Sequence, residues 1–195
     1  MNNNWKNFVD ATKTRQPIKL LDTAINQAGD ASTKERQALD LGCGAGVDAK
    51  HLAQNGFIVT AVDNDDCAIK QTAENCRDLN VITEKEDIYN FKIEKNKYSV
   101  IIAWNSLPFL DKKRVENVLK NIKDGLVNNG VFVFSIFGKN DDWKDRENMS
   151  FWDLEEFKKF MADFKFVELY EKQKEEAGAT GNVKFWHLIQ GIAKK

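Results

Sequence analysis

Apolar positions in this chain recur in two periods that alternate along its length. Short β-rich runs at Gln37–Leu41, Phe57–Val62, Val81–Glu84, Tyr98–Trp104 and Val131–Phe137 read as strands. The fourth, Y-S-V-I-I-A-W, is apolar at nearly every position, as in a strand covered on both faces of a parallel sheet. Helical spacing appears between these runs. One helix spans Val47–Gln54 and ends at the C-cap pair Asn55-Gly56. A second opens at Asp65 and Asp66, favoured by the helix dipole, and runs to about Leu79. A third is capped by Asp111 and carries Val115, Val118, Leu119 and Ile122 on one face. The alternation of strands and helices up to Phe137 predicts a parallel sheet with right-handed crossovers. It then changes. A polar, tryptophan-bearing loop over 139–149 precedes a helix predicted over 151–163, with Ser150 and Asp153 as its capping pair. Two long strand-like runs, Phe166–Gln173 and Lys184–Ala193, flank a linker of hairpin length and should pair antiparallel. Ahead of the first strand, one or two helices use Phe8, Val9, Ile18, Leu20, Leu21 and Ile25 as apolar positions. Pro17 interrupts or restarts them, and a loop follows at 29–33. The expected architecture is one three-layer α/β domain. Its seven-stranded sheet is mostly parallel with the last strand antiparallel, and helices cover both faces. Residues 1–36 are expected to be N-terminal cap helices and 37–195 the core.

Between the first strand and its helix stands Leu39-Asp40-Leu41-Gly42-Cys43-Gly44-Ala45-Gly46. Glycines in a G-x-G-x-G turn let the backbone bend sharply and bring main-chain N–H groups against a ligand. A pyrophosphate-binding turn wants G-x-G-x-x-G, whereas here Val47 takes the last of those positions. A carboxylate at Asp40, beside the loop, repels pyrophosphate and suits a cofactor that carries an ammonium group. Asp63, at the end of the next strand, can accept both hydroxyls of a ribose. The pair favours S-adenosylmethionine (SAM), whose methionyl end has an α-amino group and whose reactive centre is a sulfonium.

Composition narrows the setting. Hydrophobic content of 42% and charged content of 30% are those of a globular protein, and a net charge of −1 gives no general attraction to nucleic acid or anionic membranes. The short Lys112-Lys113-Arg114 cluster reads as a solvated helix face. Three cysteines without C-x-x-C spacing suggest reduced thiols rather than a disulfide frame or a metal site. The N-terminus lacks a signal-peptide plan, and no apolar run approaches the ~20 residues that span a bilayer. A cytoplasmic monomer or homodimer is therefore expected.

The glycine turn, Asp63 and the sheet plan together resemble the class I SAM-dependent methyltransferases, over nearly the whole chain. Three strings, I-I-A-W-N-S-L-P-F-L (101–110), F-G-K-N-D-D-W (137–143) and A-T-G-N-V-K-F-W-H (179–187), resemble a bacterial group related to tellurite-resistance-type methyltransferases, as does Arg15-x-Pro17. Phe185 stands where that group often has the first of two histidines, and His187 keeps the second. The resemblance implies a Rossmann-like fold that binds SAM and releases S-adenosylhomocysteine (SAH). It implies that Gly42, Gly44 and Gly46 pack against the methionyl and ribose parts and that Asp40 holds the amino group. Asp63 would take the ribose diol and Asp87 the adenine amino group, with Cys43, Asn64 and Ile88 beside them. Trp104 and Asn105, at the carboxyl end of the fourth strand, fall where an open α/β sheet meets its ligand. For Trp104 a plain core aromatic is an equal alternative, and for Asp87 a solvated loop carboxylate.

Methyl transfer from a sulfonium is an in-line displacement that needs alignment more than acid–base help. A base is required only for an acceptor protonated near neutral pH. His187 is the best base candidate; the plainer alternative is a strand histidine bonded to backbone. Asp141 and Trp143 sit on the loop after the fifth strand, either at an acceptor's entrance or as loop-stabilising contacts. Phe109 belongs to an aromatic-rich wall around the sulfonium or to an ordinary core. Arg15 either pairs with a negative acceptor or solvates its helix. Asn105-Ser106-Leu107-Pro108-Phe109 lacks the adjacent prolines of enzymes that methylate base or glutamine amide nitrogens. A small-molecule acceptor is expected, by resemblance a thiol or a chalcogen oxyanion. The alternatives are a protein or nucleic-acid methyltransferase and a SAM-binding protein without transferase activity.

Overall fold

A computed structural model describes residues 3–28 and 36–195; the loop expected at 29–33 lies outside them. Helices α1 (Asn3–Thr12) and α2 (Leu20–Gln27) precede strand β1 (Arg36–Leu41). Then follow α3 (Val47–Gln54), β2 (Phe57–Asp63), α4 (Asp66–Asn75), β3 (Val81–Lys85) and β4 (Tyr98–Trp104). The second half carries α5 (Lys112–Gly125), β5 (Leu126–Gly138), the two-residue β6 (Phe151–Trp152), α6 (Leu154–Phe160), β7 (Lys165–Ala177) and β8 (Val183–Lys194). The sheet order is β3-β2-β1-β4-β5-β8-β7, with β6 added beside β5. β8 runs antiparallel to both β5 and β7, so it is the one long strand opposed to the rest. That matches the expected sheet.

Alternation along the strands sends side chains to two cores. On one face Leu39, Ile101, Phe132 and Phe134 meet the apolar stripe of α5 and Phe157 of α6. On the other, Ala38, Val59, Ile102 and Val133 meet Leu21 and Ala24 of α2 and Leu52 of α3. α2 is thus part of the helical layer rather than of a cap, and only α1 lies outside it, with Val9 against Ala45, Val47 and Ala68.

Between β3 and β4, where no helix is expected, Asp87 Oδ1 accepts from Tyr89 N (2.8 Å) in a tight turn, and Ile88, Phe91 and Ile93 reach the core from irregular chain. Two details depart from the sequence reading. α4 stops at Asn75, whose side-chain amide donates to Ala45 O in the glycine turn (2.7 Å). The helix expected over 151–163 covers Leu154–Phe160, because Phe151 and Trp152 pair with Phe137 and Gly138. Asp153 alone caps it, accepting from Glu155 N at 2.9 Å.

Candidate functional site

Strand order reverses between β1 and β4, and an open α/β sheet receives ligands at the carboxyl ends of such strands. The glycine turn sits there, anchored by Gly42 N and Cys43 N donating to Val62 O (2.8 and 3.0 Å). Gly42, Gly44 and Gly46 all have left-handed φ (79°, 53° and 75°), which any other residue would adopt only with strain. Their surroundings differ. A Cβ on Gly46 would stand 2.7–2.9 Å from atoms of Thr72, so this glycine lets α3 and α4 close up and faces away from any ligand. A Cβ on Gly44 would meet nothing within 4 Å, because Gly44 faces an open cleft. Gly42 lies against Ser106, whose hydroxyl donates to Leu41 O (2.7 Å) and ties the end of β4 to β1.

The cleft has two lobes of about 110 and 580 Å3 that share Phe8, Gly42, Gly44, Trp104 and Asn105. Asp63, Asn64, Asp87 and Ile88 line the smaller lobe, with Trp5 and Phe109 opposite. Half-buried Asp63 is held on both oxygens: Oδ2 accepts from Gly44 N (2.9 Å) and Oδ1 from Asp65 N (3.0 Å). Burial pushes its carboxyl above the ordinary range, against these two backbone donors. Trp5 meets Phe109 edge to face with ring centroids 5.0 Å apart, so α1 forms a side wall of this lobe.

Asp40, Cys43 and Arg15 line the larger lobe. Asp40 is 3% exposed, and its Oδ2 has no hydrogen-bond partner. Burial drives its carboxyl well above the usual carboxylate range, and nearby Asp48 adds to the rise. A buried, unpartnered carboxylate oxygen is costly unless a donor meets it. Cys43 has its thiol likewise pushed up by burial, with Sγ 3.4 Å from Thr72 Oγ1. Arg15 does not offer its charge to the lobe. Its guanidinium grips both oxygens of buried Asp48, with Nη1 to Oδ1 at 3.1 Å, and donates to Gln16 O (2.9 Å). Asp48 also accepts from Ile18 N (2.9 Å), so this ion pair clips the α1–α2 link onto α3.

His187, the base candidate, and Asp141, the candidate on the loop after the fifth strand, stand elsewhere. His187 is 1% exposed; its Nδ1 accepts from Asn140 N (3.0 Å), and Nε2 donates to Glu171 Oε1 (2.8 Å). It packs on Gly138 and shares a sheet face with Ile189, opposite the face of Gln190 that lines the large lobe. Asp141 is fully buried: Oδ1 accepts from Trp143 N (3.0 Å) and pairs with Lys184, and Oδ2 accepts from His187 N (3.1 Å). Lys184 Nζ lies 3.9, 4.2 and 5.1 Å from the ring centroids of Trp186, Trp143 and Phe137. Trp143 lines neither lobe but stands behind Phe109, with ring centroids 6.4 Å apart. Asp141, Trp143 and Lys184 therefore fasten the 139–149 loop to β8. Asp48, Ser135, Tyr170 and Gln190 went unread in the sequence. Strand parity would have found Gln190, two residues from the core position Ile192 and so on the same face.

The fold and this cleft define a class of protein: a nucleoside-cofactor-binding α/β domain with the class I methyltransferase strand order. A family profile described as a methyltransferase domain matches residues 38–130. The probable SAM-dependent methyltransferase TehB of Haemophilus influenzae is 31% identical over 143 residues, 71% of this chain and 49% of that protein. The chain thus spans about half the length of that relative. The crystal structure of Haemophilus influenzae TehB superposes with a TM-score of 0.74 at 25% identity, covering 90% of this chain and 61% of that one. The N-methyltransferase NodS of Bradyrhizobium japonicum, solved with SAH, gives 0.66 at 16% identity over 98% of both chains, a likeness of fold. The chain belongs to the class I SAM-dependent methyltransferase family, of which TehB is one relative.

Proposed function

We propose that this protein transfers the methyl group of SAM to a small-molecule acceptor bound in the large lobe. The observation that carries this is Asp40: a buried carboxylate with an unpartnered oxygen, on the wall of a cleft beside the open face of Gly44. An α-ammonium, directly or through water, is the donor that Asp40 lacks. Asp63, already oriented by Gly44 N and Asp65 N, keeps lone pairs for a ribose diol, and Asp87 lines the same lobe as an acceptor for an adenine amino group. Asn64, Ile88, Trp104 and Asn105 complete this reading, whereas Gly46 drops out of it as a packing residue. Bound SAM supplies an electrophilic methyl on a sulfonium. The protein's part is to align an acceptor and exclude water, and the aromatic wall of Trp5, Phe8, Phe109 and Trp104 suits that task.

Acceptor type follows from what the lobe lacks. His187 and Asp141 are held away from it, so among the described residues no expected base faces an acceptor. A nucleophile that ionises by itself near neutral pH, such as a thiol, suits this wall. No helix among the described residues is long and apolar enough to cross a membrane, and with three unpaired cysteines we infer a reducing cytoplasm.

The test is thermal unfolding of wild type and Asp63→Ala with SAM, SAH and NAD. A ligand at a hundred times its dissociation constant adds about 2.7 kcal/mol, a rise of roughly 5–11 °C for a domain of this size. The expected result is a rise with the two adenosyl ligands, none with NAD, and loss of the rise in the variant. No rise with SAM, from protein freed of carried-over ligand, removes this reading.

A further inference from the structure

Four residues form one row across the carboxyl half of the sheet. Trp104 of β4 is registered with Ser135 of β5, Ser135 with Gln190 of β8, and Gln190 with Tyr170 of β7. Cross-strand partners share a face, and Trp104, Gln190 and Tyr170 all line the large lobe. Three strand spacings make this floor about 14 Å long, from the glycine turn to the sheet edge. Its roof is the α1–α2 link, at Arg15, Gln16 and Lys19. Ser135, small and fully buried, lies beneath the Asn105 and Gln190 side chains between the two aromatic ends.

The centre of the floor is a hydrogen-bonded relay. Ser135 Oγ donates to Asn105 Oδ1 (2.8 Å) and accepts from Gln190 Nε2 (3.2 Å). One hydroxyl thereby engages one end of each amide, donating to one and accepting from the other, which leaves one amide donor and one amide acceptor available to a ligand. Asn105 is exposed and holds a left-handed φ of 55°, a conformation asparagine tolerates better than most residues. The floor therefore offers one donor and one acceptor and no charge. Of the two cations on the roof, Arg15 is committed to Asp48, and Lys19 lies at the exposed rim.

Resting on the methyl-transfer reading above, we infer that Asn105, Ser135 and Gln190 form an acceptor-recognition element. It selects a flat, uncharged organic thiol whose ring carries an N–H and a carbonyl or thiocarbonyl side by side. The methionyl end of SAM at Asp40 takes part of the lobe of about 580 Å3, and the remainder over Gln190 and Tyr170 suits such a molecule, whereas a small inorganic oxyanion would find no uncommitted cation on this floor. The acceptor loses one proton to solvent, from S–H in a thiol or from a ring N–H in a thione such as 2-thiouracil. Its sulfur then bonds to the methyl carbon as the sulfonium carbon–sulfur bond breaks, and that electron pair stays on the departing SAH. Asn105 and Gln190 touch the acceptor; Ser135 acts through them as a positioning residue.

The experiment uses the full chain loaded with SAH, with acceptor binding measured by calorimetry and methylation measured with SAM. The probes are 2-thiouracil, thiophenol as an equally soft thiol without the amide-like edge, and selenite. The expected result is preference for 2-thiouracil, reduced at least fivefold by Gln190→Leu while the SAH-induced thermal shift is kept. Ser135→Ala, a smaller change should the first variant fold poorly, is expected to raise KM for 2-thiouracil more than for thiophenol, with kcat little changed. Equal binding of the two thiols, a preference for selenite, or an unchanged preference in both variants overturns the inference while leaving SAM chemistry intact. Absence of any SAH-induced shift in wild type overturns both readings.

Discussion

Asp40 and Asp48 are buried carboxylates eight residues apart on either side of the glycine turn, and their partners separate their roles. Asp48 has Arg15 and Ile18 N, whereas one oxygen of Asp40 has nothing. Burial raises the Asp40 carboxyl, so the folded state keeps a proton that the unfolded state has already released above about pH 4. Its contribution to stability is complete below that pH and falls as pH rises through the folded value. Asp40→Asn is therefore expected to raise the melting temperature of ligand-free protein at neutral pH. The gain should shrink towards pH 4, where wild-type Asp40 is protonated in both states. The same variant should lose the SAM-induced shift, since an amide cannot neutralise an ammonium. Thermal scans at several pH values check both, and a gain that persists undiminished at pH 4 contradicts the assignment.

Among elements, α1 borders the cleft and the 139–149 loop backs its wall behind Phe109, and the two are attached differently. α1 contributes Trp5, Phe8 and Val9, and apart from these it is tied to the body chiefly through α4 and the turn leading to Arg15. Deleting residues 1–12 keeps Arg15, Ile18 and the whole sheet, so folding should survive with unchanged far-UV circular dichroism per residue of strand. The SAM-induced shift should fall, because a wall of the small lobe is gone. The loop is fastened by a buried ion pair, Asp141–Lys184, inside three aromatic rings. Removing one partner leaves the other charge buried and unpaired, typically a cost of about 3–5 kcal/mol. Burial already pulls the Lys184 pKa down against its attraction to Asp141. Asp141→Ala is therefore expected to loosen the loop and speed tryptic cleavage at Lys144 and Arg146, whereas an equal cleavage rate would contradict the clamp. A catalytic carboxylate would instead show its effect in turnover with the loop still closed.

At the scale of the molecule, the strand order that reverses between β1 and β4 gathers everything the cleft uses. It brings the glycine turn, the end of β4 and the end of β2 within one crevice, and antiparallel β8 extends the floor toward the sheet edge. The small lobe carries Asp63 and Asp87, Asp40 stands on the wall of the large lobe beside the glycine turn, and the floor beyond it at Ser135 and Gln190 is uncharged. That division matches a reaction in which a cationic donor is held by carboxylates and a separate acceptor is positioned by shape and hydrogen bonds.

Local chemistry was readable in the chain alone. The turn at Gly42–Gly46, the strand Tyr98–Trp104 and the caps at Asp65 and Asp111 rest on contacts within a few residues, so periodicity and residue type sufficed. The placement of Asp40 and Asp63 at strand ends by the glycine turn was legible for the same reason. Roles set by distant partners were not. Arg15 looks like a free cation until folding places Asp48 beneath it, Gly46 like a ligand glycine until Thr72 closes on it, and Asp141 like a rim acid until Lys184 meets it. His187 was placed on its strand, but the face it takes depends on register with β5 and β7, which turns and long crossovers decide. Ser135 and Gln190 carry no local signal: their pairing joins residues 55 apart, and only the closed sheet puts their side chains on one floor. The layers and the cofactor chemistry depend on short-range pattern and so could be read along the chain. Tertiary structure decided which side chains are free to act, because a polar group's role is set by whichever distant partner satisfies it.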